Sequence, residues 1–431
     1  MPSTDPMRVR KPPHVLIIGG GFAGLWATRA LADAPVRITL VDRSNHHLFQ
    51  PLLYQVATAG LSAPDIAAPL RHILRRQSNV TVRMGEVERV DPDSREVLLA
   101  DGERLDYDYA LVASGATHAY FGHDEWAPDA PGLKTLPDAL GIRNRILSAF
   151  EAAEASQDPP ERKALLTFAI VGGGPTGVEL AGTLAEIARH TLRGQFRNID
   201  PRRARVLLLE AGPRVLSSFP QVLSDKAQAQ LEKLGVEVLC GTPVSAIDGS
   251  GVQLGERAIG ARTVLWAAGV AASPLARGLG VPLDRAGRVP VDPDLSVPGH
   301  PELFVAGDLA AAQSEGKPVP GVAPAAKQMG RHVADMIRAR LQGRPGAPFQ
   351  YRDYGNLATI GRMAAVVEFG KLRLSGWLAW WFWLIAHVFF LIGFRNRLVV
   401  MTNWTWAYWT YQRAARIILG DPPTDSRDAD G

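Results

Sequence analysis

One arrangement of apolar runs and glycines occurs twice along the chain. In "HVLIIGGGFAGLWATRALADAPVRITLVD" the apolar run from Val15 to Ile18 predicts a strand, and Gly19-x-Gly21-x-x-Gly24 follows it. A helix with Ala27, Ala30 and Leu31 on one face comes next, then a second strand from Arg37 to Val41 that ends at Asp42. The second copy is "TFAIVGGGPTGVELAGTLAEIA", continued by "RRARVLLLEAG". Its strand enters Gly172-x-Gly174-x-x-Gly177, and its later strand ends at Glu210. Asp42 lies 18 residues after Gly24, whereas Glu210 lies 33 after Gly177. The second copy therefore carries a longer helix or an insertion around "RHTLRGQFRNIDPR".

Two more predicted strands, Tyr107 to Thr117 and Ala261 to Val270, end in small residues, among them Gly115 and Gly269. Small residues at a strand's C-terminal end suit a backbone packed against a nucleotide. A further strand, "HPELFVAGDLA", ends in Gly307-Asp308 and lacks a counterpart in the second copy. The first nucleotide domain is thus expected to be interrupted by the second and to resume after it. The plan is an N-terminal tail 1–13, a first domain 14–160 resumed at 289–345, a second domain 161–288, a C-terminal region 346–420 and a disordered tail 421–431. The polar, proline-bearing "SQDPPERK" reads as the linker at the first crossing, and "LQGRPGAPFQYRDYGN" punctuates the exit to the C-terminal region.

Each copy is a dinucleotide-binding fingerprint with a mechanism. The first glycine permits a tight turn, the second lets backbone approach a pyrophosphate, and the third lets helix and strand pack closely. The helix N-terminus offers free N–H groups to phosphate, and the terminal acid accepts bonds from ribose hydroxyls. Two such sites suit a bound flavin adenine dinucleotide, FAD, and a visiting nicotinamide dinucleotide. Hydride passes from nicotinamide C4 to flavin N5, and that half-reaction needs neither a nucleophile nor a metal. No metal-ligand spacing demands one; His46 and His47, after Asp42, read as solvated or flavin-edge groups. An acid at Glu210 repels a 2′-phosphate and favours NADH over NADPH, an inference that Arg214 weakens.

Net charge, 47 basic against 43 acidic residues, is too small to argue for nucleic acid. A single cysteine, Cys240, excludes an intrachain disulfide and a paired-cysteine redox centre; following "GVEVL", it reads as a buried structural thiol. Arg8, Arg10 and Lys11 ahead of an apolar stretch imitate a secretory signal, but glycines at fixed spacing mark that stretch as mature fold, with a cytoplasmic active domain. The charge distribution changes the picture at the C-terminal end. From Lys371 to Gly420 there are six Lys and Arg, no Asp or Glu, and seven of the ten tryptophans. Basic residues with interfacial aromatics suit an anionic membrane surface; a buried helical hairpin with solvated ends is the alternative. The run Leu374 to Phe394 is also long enough to admit a transmembrane helix, with His387 as a packed histidine in its middle. The following segment, with Trp404, Tyr408 and Tyr411 at helical spacing and Arg413 and Arg416 near its end, reads as interfacial.

Together "HHLFQPLLYQVATAGL", "GGGPTGVELAGTLAE", "LFVAGD", "APAAKQMG", "GNLATIGRMAAVVEFG" and the aromatic tail resemble the type II NADH dehydrogenases, the single-subunit, non-proton-pumping NADH:quinone oxidoreductases. The resemblance runs from about Pro13 to Leu419. It implies an α/β fold of two Rossmann-like domains in a glutathione-reductase-like arrangement, plus a helical membrane-binding segment. It implies tightly but non-covalently bound FAD on Gly19, Gly21, Gly24 and Asp42. Arg43 would lie toward the adenine, Val87 would meet it through backbone, and Asp308 would bond the ribitol or pyrophosphate. Gln50, Pro51 and Leu52 would line the flavin, with Gly115 and Ala326 also against the cofactor. NADH would lie on Gly172, Gly174, Thr176, Gly177, Glu210 and Gly269. Glu179 would stand near nicotinamide and flavin, although an acid in a helix's first turn also serves the helix dipole.

The quinone motif departs from the family's. An Ala-Gln pair is expected before Ala-x-Gln-x-Gly, and here Pro324 replaces that glutamine, leaving Lys327 and Gln328 as candidate catalytic donors toward quinone. The resemblance further implies a respiratory enzyme on the cytoplasmic face of a bacterial inner membrane, reducing ubiquinone or menaquinone, and it leaves room for a homodimer through the tails. A sulfide:quinone oxidoreductase needs two redox cysteines. An NAD(P)H reductase with another acceptor, and a non-catalytic nucleotide sensor at the membrane, stay open as alternatives.

Overall fold

The computed structural model describes residues 11–390, 394–410 and 415–419. They form two compact units. The first comprises Met1–His47, Ala68–Thr117 and Ala271–Asp353; the second comprises Leu48–Ala67, His118–Val270 and Tyr354–Gly431. These units follow compactness, and the domain plan drawn by nucleotide remains a proposal.

The first unit is built on a six-stranded sheet. Its order is Ser296–Val297, His300–Val305, Tyr109–Val112, His14–Ile18, Arg37–Asp42, Val80–Met84. All neighbours pair in parallel except the short first strand. Every residue of His14–Ile18 is buried, as a central parallel strand covered on both faces requires. The late strand His300–Val305 pairs with Tyr109–Val112, so chain from both ends builds one sheet. Helix Phe22–Ala30 packs against helix Ala323–Leu341, closely enough that a Cβ at Gly330 would stand 2.1 Å from the Ala23 carbonyl oxygen. A second, antiparallel sheet joins Val87–Asp91, Glu96–Leu99 and Arg104–Asp106.

In the second unit a parallel sheet runs in the order Val236–Cys240, Arg205–Glu210, Thr167–Val171, Thr263–Trp266. Tyr120, Trp126 and Trp266 anchor a core shared with Leu207, Leu209 and Ile259. Helix Pro175–Glu186 follows the second glycine turn and is prolonged by a π-helical turn, Ile187–Thr191, before the loop to Arg205. The longer helix and the insertion expected from the spacing of Glu210 are thus both present. A three-stranded antiparallel sheet, Asn356–Gly361, Ala364–Phe369 and Leu372–Gly376, packs on this helix through Gly182. A Cβ there would stand 1.6 Å from the Ile360 carbonyl oxygen.

Four sequence expectations need correction. Five of the eight residues of the "SQDPPERK" linker are helical, because Asp158 caps helix Pro159–Leu165 and proline suits a first turn whose N–H groups are unpaired anyway. Cys240 is half-buried, since it closes an edge strand. Leu374 and Ser375 pair in the sheet with Val367 and Val366, and Gly376 at φ +74° turns the chain. The tail helix therefore begins at Trp377 and runs 14 residues to Phe390, about 21 Å against about 30 Å of hydrocarbon. No helix of the described residues is long and apolar enough to cross a membrane. Finally, the tail tryptophans do not form one interfacial set. Trp377, Trp381 and Trp406 are exposed, but Trp380, Trp383 and Trp404 are buried. Residues 1–10 of the N-terminal tail, Tyr411, Arg413 and the tail 421–431 lie outside the described residues.

Candidate functional site: two glycine cradles and an aromatic tail

The first glycine turn has the geometry its spacing predicts. Gly19 sits at φ +101°, and a Cβ there would lie 2.4 Å from the Ala113 carbonyl oxygen. At Gly24 a Cβ would lie 1.9 Å from the Gly19 oxygen. A Cβ on Gly21, the N-cap of helix Phe22–Ala30, would meet nothing within 4 Å. The outer glycines are thus demanded by packing, whereas the middle one faces open space at a helix N-terminus, where a phosphate fits. Asp42 is held in place. Its Oδ2 accepts from the Gly20 N–H at 2.6 Å and its Oδ1 from the Ser44 N–H at 2.6 Å.

The second turn repeats this almost atom for atom. Gly172 has φ +110°, and Cβ atoms at Gly172 and Gly177 would collide with Ala267 at 2.5 Å and with the Gly172 oxygen at 1.8 Å. Gly174, again the helix N-cap, faces open space. Glu210 Oε2 accepts from the Gly173 N–H at 2.5 Å and Oε1 from the Gly212 N–H at 2.6 Å. Each acid thus fastens its own glycine turn and retains further lone pairs for a ligand. Arg214 is committed elsewhere: it donates to the Leu216, Ser217 and Phe219 carbonyls at 3.3, 2.7 and 2.8 Å.

In the first unit, Asp308 stands in a one-turn 3-10 helix directly after strand His300–Val305, with Gly307 at φ +77°. Ala326 faces Gly307, where a Cβ would meet its methyl at 3.6 Å. Val87 opens a strand of the antiparallel sheet, Gly115 has φ +72°, and Arg43 is exposed. His47 corrects the solvated reading. It is 2% exposed, its Nδ1 bonds the Gly20 carbonyl oxygen at 2.9 Å, and its ring packs edge-on against Phe22. Burial lowers its pKa to about 4, so the ring is neutral and Nδ1–H is the donor. Lys327 lies 4.3 Å over the Trp26 ring, and burial together with Arg331 and Arg29 brings its pKa down to about 8. Gln328 points elsewhere: its Nε2 donates to the Arg352 carbonyl and its Oε1 accepts from the Arg352 N–H, both at 2.9 Å. One residue step on a helix is about 100°, which separates the two candidates. Pro324 is the second residue of helix Ala323–Leu341, where a missing N–H has no consequence.

In the second unit, Gln50, Pro51 and Leu52 form a 3-10 turn. Gln50 Nε2 donates to the Lys134 carbonyl at 3.2 Å, and the Leu52 side chain is fully buried, so a ligand would reach this residue through its backbone. Thr176 lies in the first turn of helix Pro175–Glu186. Glu179 is 9% exposed, and its Oε1 accepts a long bond, 3.4 Å, from the Thr359 N–H. Burial raises its carboxyl well above the ordinary range. Helical spacing in the sequence could not reveal this partner, which lies 180 residues away. His387 is packed, as expected: Nδ1 bonds the Trp383 carbonyl at 2.8 Å, the ring stacks on Trp383, and burial lowers its pKa to about 4. Trp404 faces inward because its Nε1–H donates to Gln55 Oε1 at 2.7 Å. On helix Trp377–Phe390 the residues Trp377, Trp381, Ile385 and Phe389, each four apart, form an exposed apolar stripe. Among the described residues there is no group of His, Cys, Asp and Glu that could hold a metal.

Residues 13–330 match the family model for pyridine nucleotide-disulphide oxidoreductases, and 354–409 match that for the NDH2 C-terminal domain. The chain is 47% identical over 427 residues to the type II NADH:quinone oxidoreductase Ndh of Mycobacterium tuberculosis, covering 96% of this chain and 91% of that one. It is 31% identical to the demethylphylloquinone reductase NdbB of a Synechocystis species, over 91% of this chain and 95% of that one. In fold it is similar to NDH2 from Plasmodium falciparum solved in complex with NADH, with TM-score 0.85 and 20% identity over 95% of this chain and 100% of that chain. The sulfide:quinone oxidoreductase of Aquifex aeolicus shares the fold at TM-score 0.72 and 19% identity, over 89% of this chain and 92% of that one. With 47% identity across nearly its whole length and a C-terminal region that matches the NDH2 model, the chain belongs to the type II NADH:quinone oxidoreductases.

Proposed function

We propose that this chain oxidises NADH and reduces a membrane quinone without pumping protons, with FAD held non-covalently in the first cradle and NADH visiting the second. The observation that carries this reading is the duplicated cradle: outer glycines that packing demands, a middle glycine open to solvent, and a pinned acid beside each. The bound flavin supplies a two-electron relay between nicotinamide and quinone. The chain's part is to hold, orient and exclude. Gly21 and Gly174 offer helix N-termini to the two pyrophosphates. Asp42 and Glu210 take the adenosine riboses on the lone pairs left by Gly20 and Gly173. Asp308 bonds the flavin's ribitol or phosphate side, Val87 and Arg43 flank the adenine, and Gly115 and Ala326 lie against the cofactor. Thr176 and Gly269 complete the NADH surface.

NADH is preferred over NADPH because Glu210 repels a 2′-phosphate and Arg214, bound to three carbonyls, is not available to offset it. Glu179, whose carboxyl burial pushes well above the ordinary range, positions the nicotinamide half. Lys327 is the donor assigned to quinone; Gln328 acts through Arg352, whose segment it pins. The exposed stripe on helix Trp377–Phe390, with Leu398, Met401 and Trp406 of the next helix, supports attachment to the cytoplasmic face of a bacterial inner membrane. Self-association of two copies through the same apolar face competes with the lipid for it.

Anaerobic titration tests the reading. The purified protein is expected to be yellow, to bleach with NADH, and to recover its colour on addition of a short-chain ubiquinone. Bleaching without recovery would move the acceptor away from quinone. An absence of bleaching would remove the dehydrogenase reading.

A further inference from the structure

Phe121 is 70% exposed, the most exposed large apolar side chain among the described residues. It also has a left-handed backbone, φ +54°, which a bulky residue adopts only where its surroundings impose it. The surroundings do so here. The Trp266 indole N–H donates to the Ala119 carbonyl at 2.9 Å, and the Ala119 N–H donates to the Gly269 carbonyl at 3.3 Å. The buried Tyr120 stacks on Trp266 at 5.0 Å between ring centres and donates its hydroxyl to the Ala130 carbonyl at 2.8 Å. Tyr120 thus enters the core while its neighbour is turned outward. The Phe121 ring lies on Gly269, where a Cβ would come within 2.5 Å of it. Gly269 ends the segment Ala267-Ala268-Gly269, against which the tight turn at Gly172 packs. A rigidly mounted aromatic face therefore borders the second cradle.

The direction of a bound dinucleotide follows from the strand order. Glu210 ends the strand on one side of Thr167–Val171, and Thr263–Trp266 flanks the other. A nucleotide whose adenosine ribose meets Glu210 and whose pyrophosphate meets Gly174 extends its other half over the end of Thr263–Trp266, toward Gly269. We infer that Phe121 is a binding residue for the nicotinamide half of NADH, a planar platform at that end of the second cradle. This rests on the proposal that the second cradle holds NADH. A ring face attracts a cation, and NAD+ carries its positive charge on the nicotinamide ring, so the platform holds the oxidised product at least as firmly as the reduced substrate.

The test uses the flavin-loaded full chain in detergent, with the variants Phe121→Ala, Phe121→Leu and Phe121→Tyr. Phe121→Ala and Phe121→Leu are expected to raise KM for NADH and Kd for NAD+ by about three- to tenfold, with the larger rise for NAD+. Phe121→Tyr stays within about twofold of the parent, as a retained ring requires. Flavin content, melting temperature, KM for quinone and flotation on vesicles stay unchanged. If NADH bleaches the parent protein and Phe121→Ala keeps the parent's KM for NADH and Kd for NAD+, the inference is overturned while the dehydrogenase reading stands. Loss of flotation in Phe121→Ala with those constants unchanged makes the ring a membrane contact and overturns it too. A parent protein that NADH does not bleach removes both.

Discussion

Glu179 is buried with one long hydrogen bond, so its carboxyl keeps a proton that the unfolded chain releases above about pH 4.5. In that window the folded state binds more protons than the unfolded state. Stability therefore falls as pH rises from 4.5 toward the raised value. Glu179→Gln keeps the shape without the charge. It is expected to melt with the parent near pH 4.5 and roughly a few degrees above it at neutral pH; equal melting at both pH values would contradict a buried, protonated Glu179. Lys327 carries the opposite sign. Its ammonium pKa is lowered from 10.5 to about 8, so between those values the unfolded chain binds the extra proton and stability rises with pH. Lys327→Met should flatten that rise, read as the shift in urea midpoint between pH 8 and pH 10. None of this was legible in the sequence, which marked Glu179 and Lys327 by motif but held no information on their burial.

Helix Pro175–Glu186 joins the second cradle to the C-terminal sheet. Its N-terminus is the cradle's open glycine, and Glu179, Gly182 and Glu186 meet strand Asn356–Gly361 and the turn after it. Glu186 accepts from the Arg362 N–H, and Gly182 lets the strand backbone lie directly on the helix. Gly182→Ala would press a methyl into the Ile360 carbonyl and is expected to destabilise the fold by about 1–3 kcal/mol, measured as a lowered denaturation midpoint. A midpoint equal to the parent's would show that the sheet shifts freely. The glycines at 172, 174 and 177 announced themselves by spacing. Gly182 did not, because its reason is a strand contributed from far along the chain. The same limit applied to "SQDPPERK", where a polar, proline-rich stretch served equally as linker and as helix start.

For the molecule as a whole, the proposed membrane contact is the exposed apolar stripe on helix Trp377–Phe390. Replacing Trp377, Trp381, Ile385 and Phe389 together by Gln removes four large exposed apolar groups, each worth roughly 1.5–3 kcal/mol on transfer from water. The quadruple variant is expected to stay free in vesicle flotation. It should keep NADH bleaching and lose at least about tenfold in rate with a long-chain quinone, while a short-chain quinone is reduced nearly as before. Retained flotation would move the membrane contact to another part of the chain. Composition located this region through its tryptophans, but not which of them face out, since Trp377 and Trp380 are indistinguishable until a partner surface exists.

The sequence by itself determined the two cradles, their acids and the family, because glycine spacing, strand patterning and strand-ending acids are local requirements that the chain states within about forty residues. It also identified an apolar, basic C-terminal region. Only the tertiary structure decided that Gly376 cuts the apolar run into strand and helix, that Trp404 turns inward to Gln55, and that Gln328 is occupied by Arg352. It alone showed that Arg214 is bound to its own loop and that Phe121 is held outward over Gly269. Each of these depends on a partner distant in sequence or on a turn whose direction the local pattern leaves open, and burial, hydrogen bonding and exposure exist only once those partners have met.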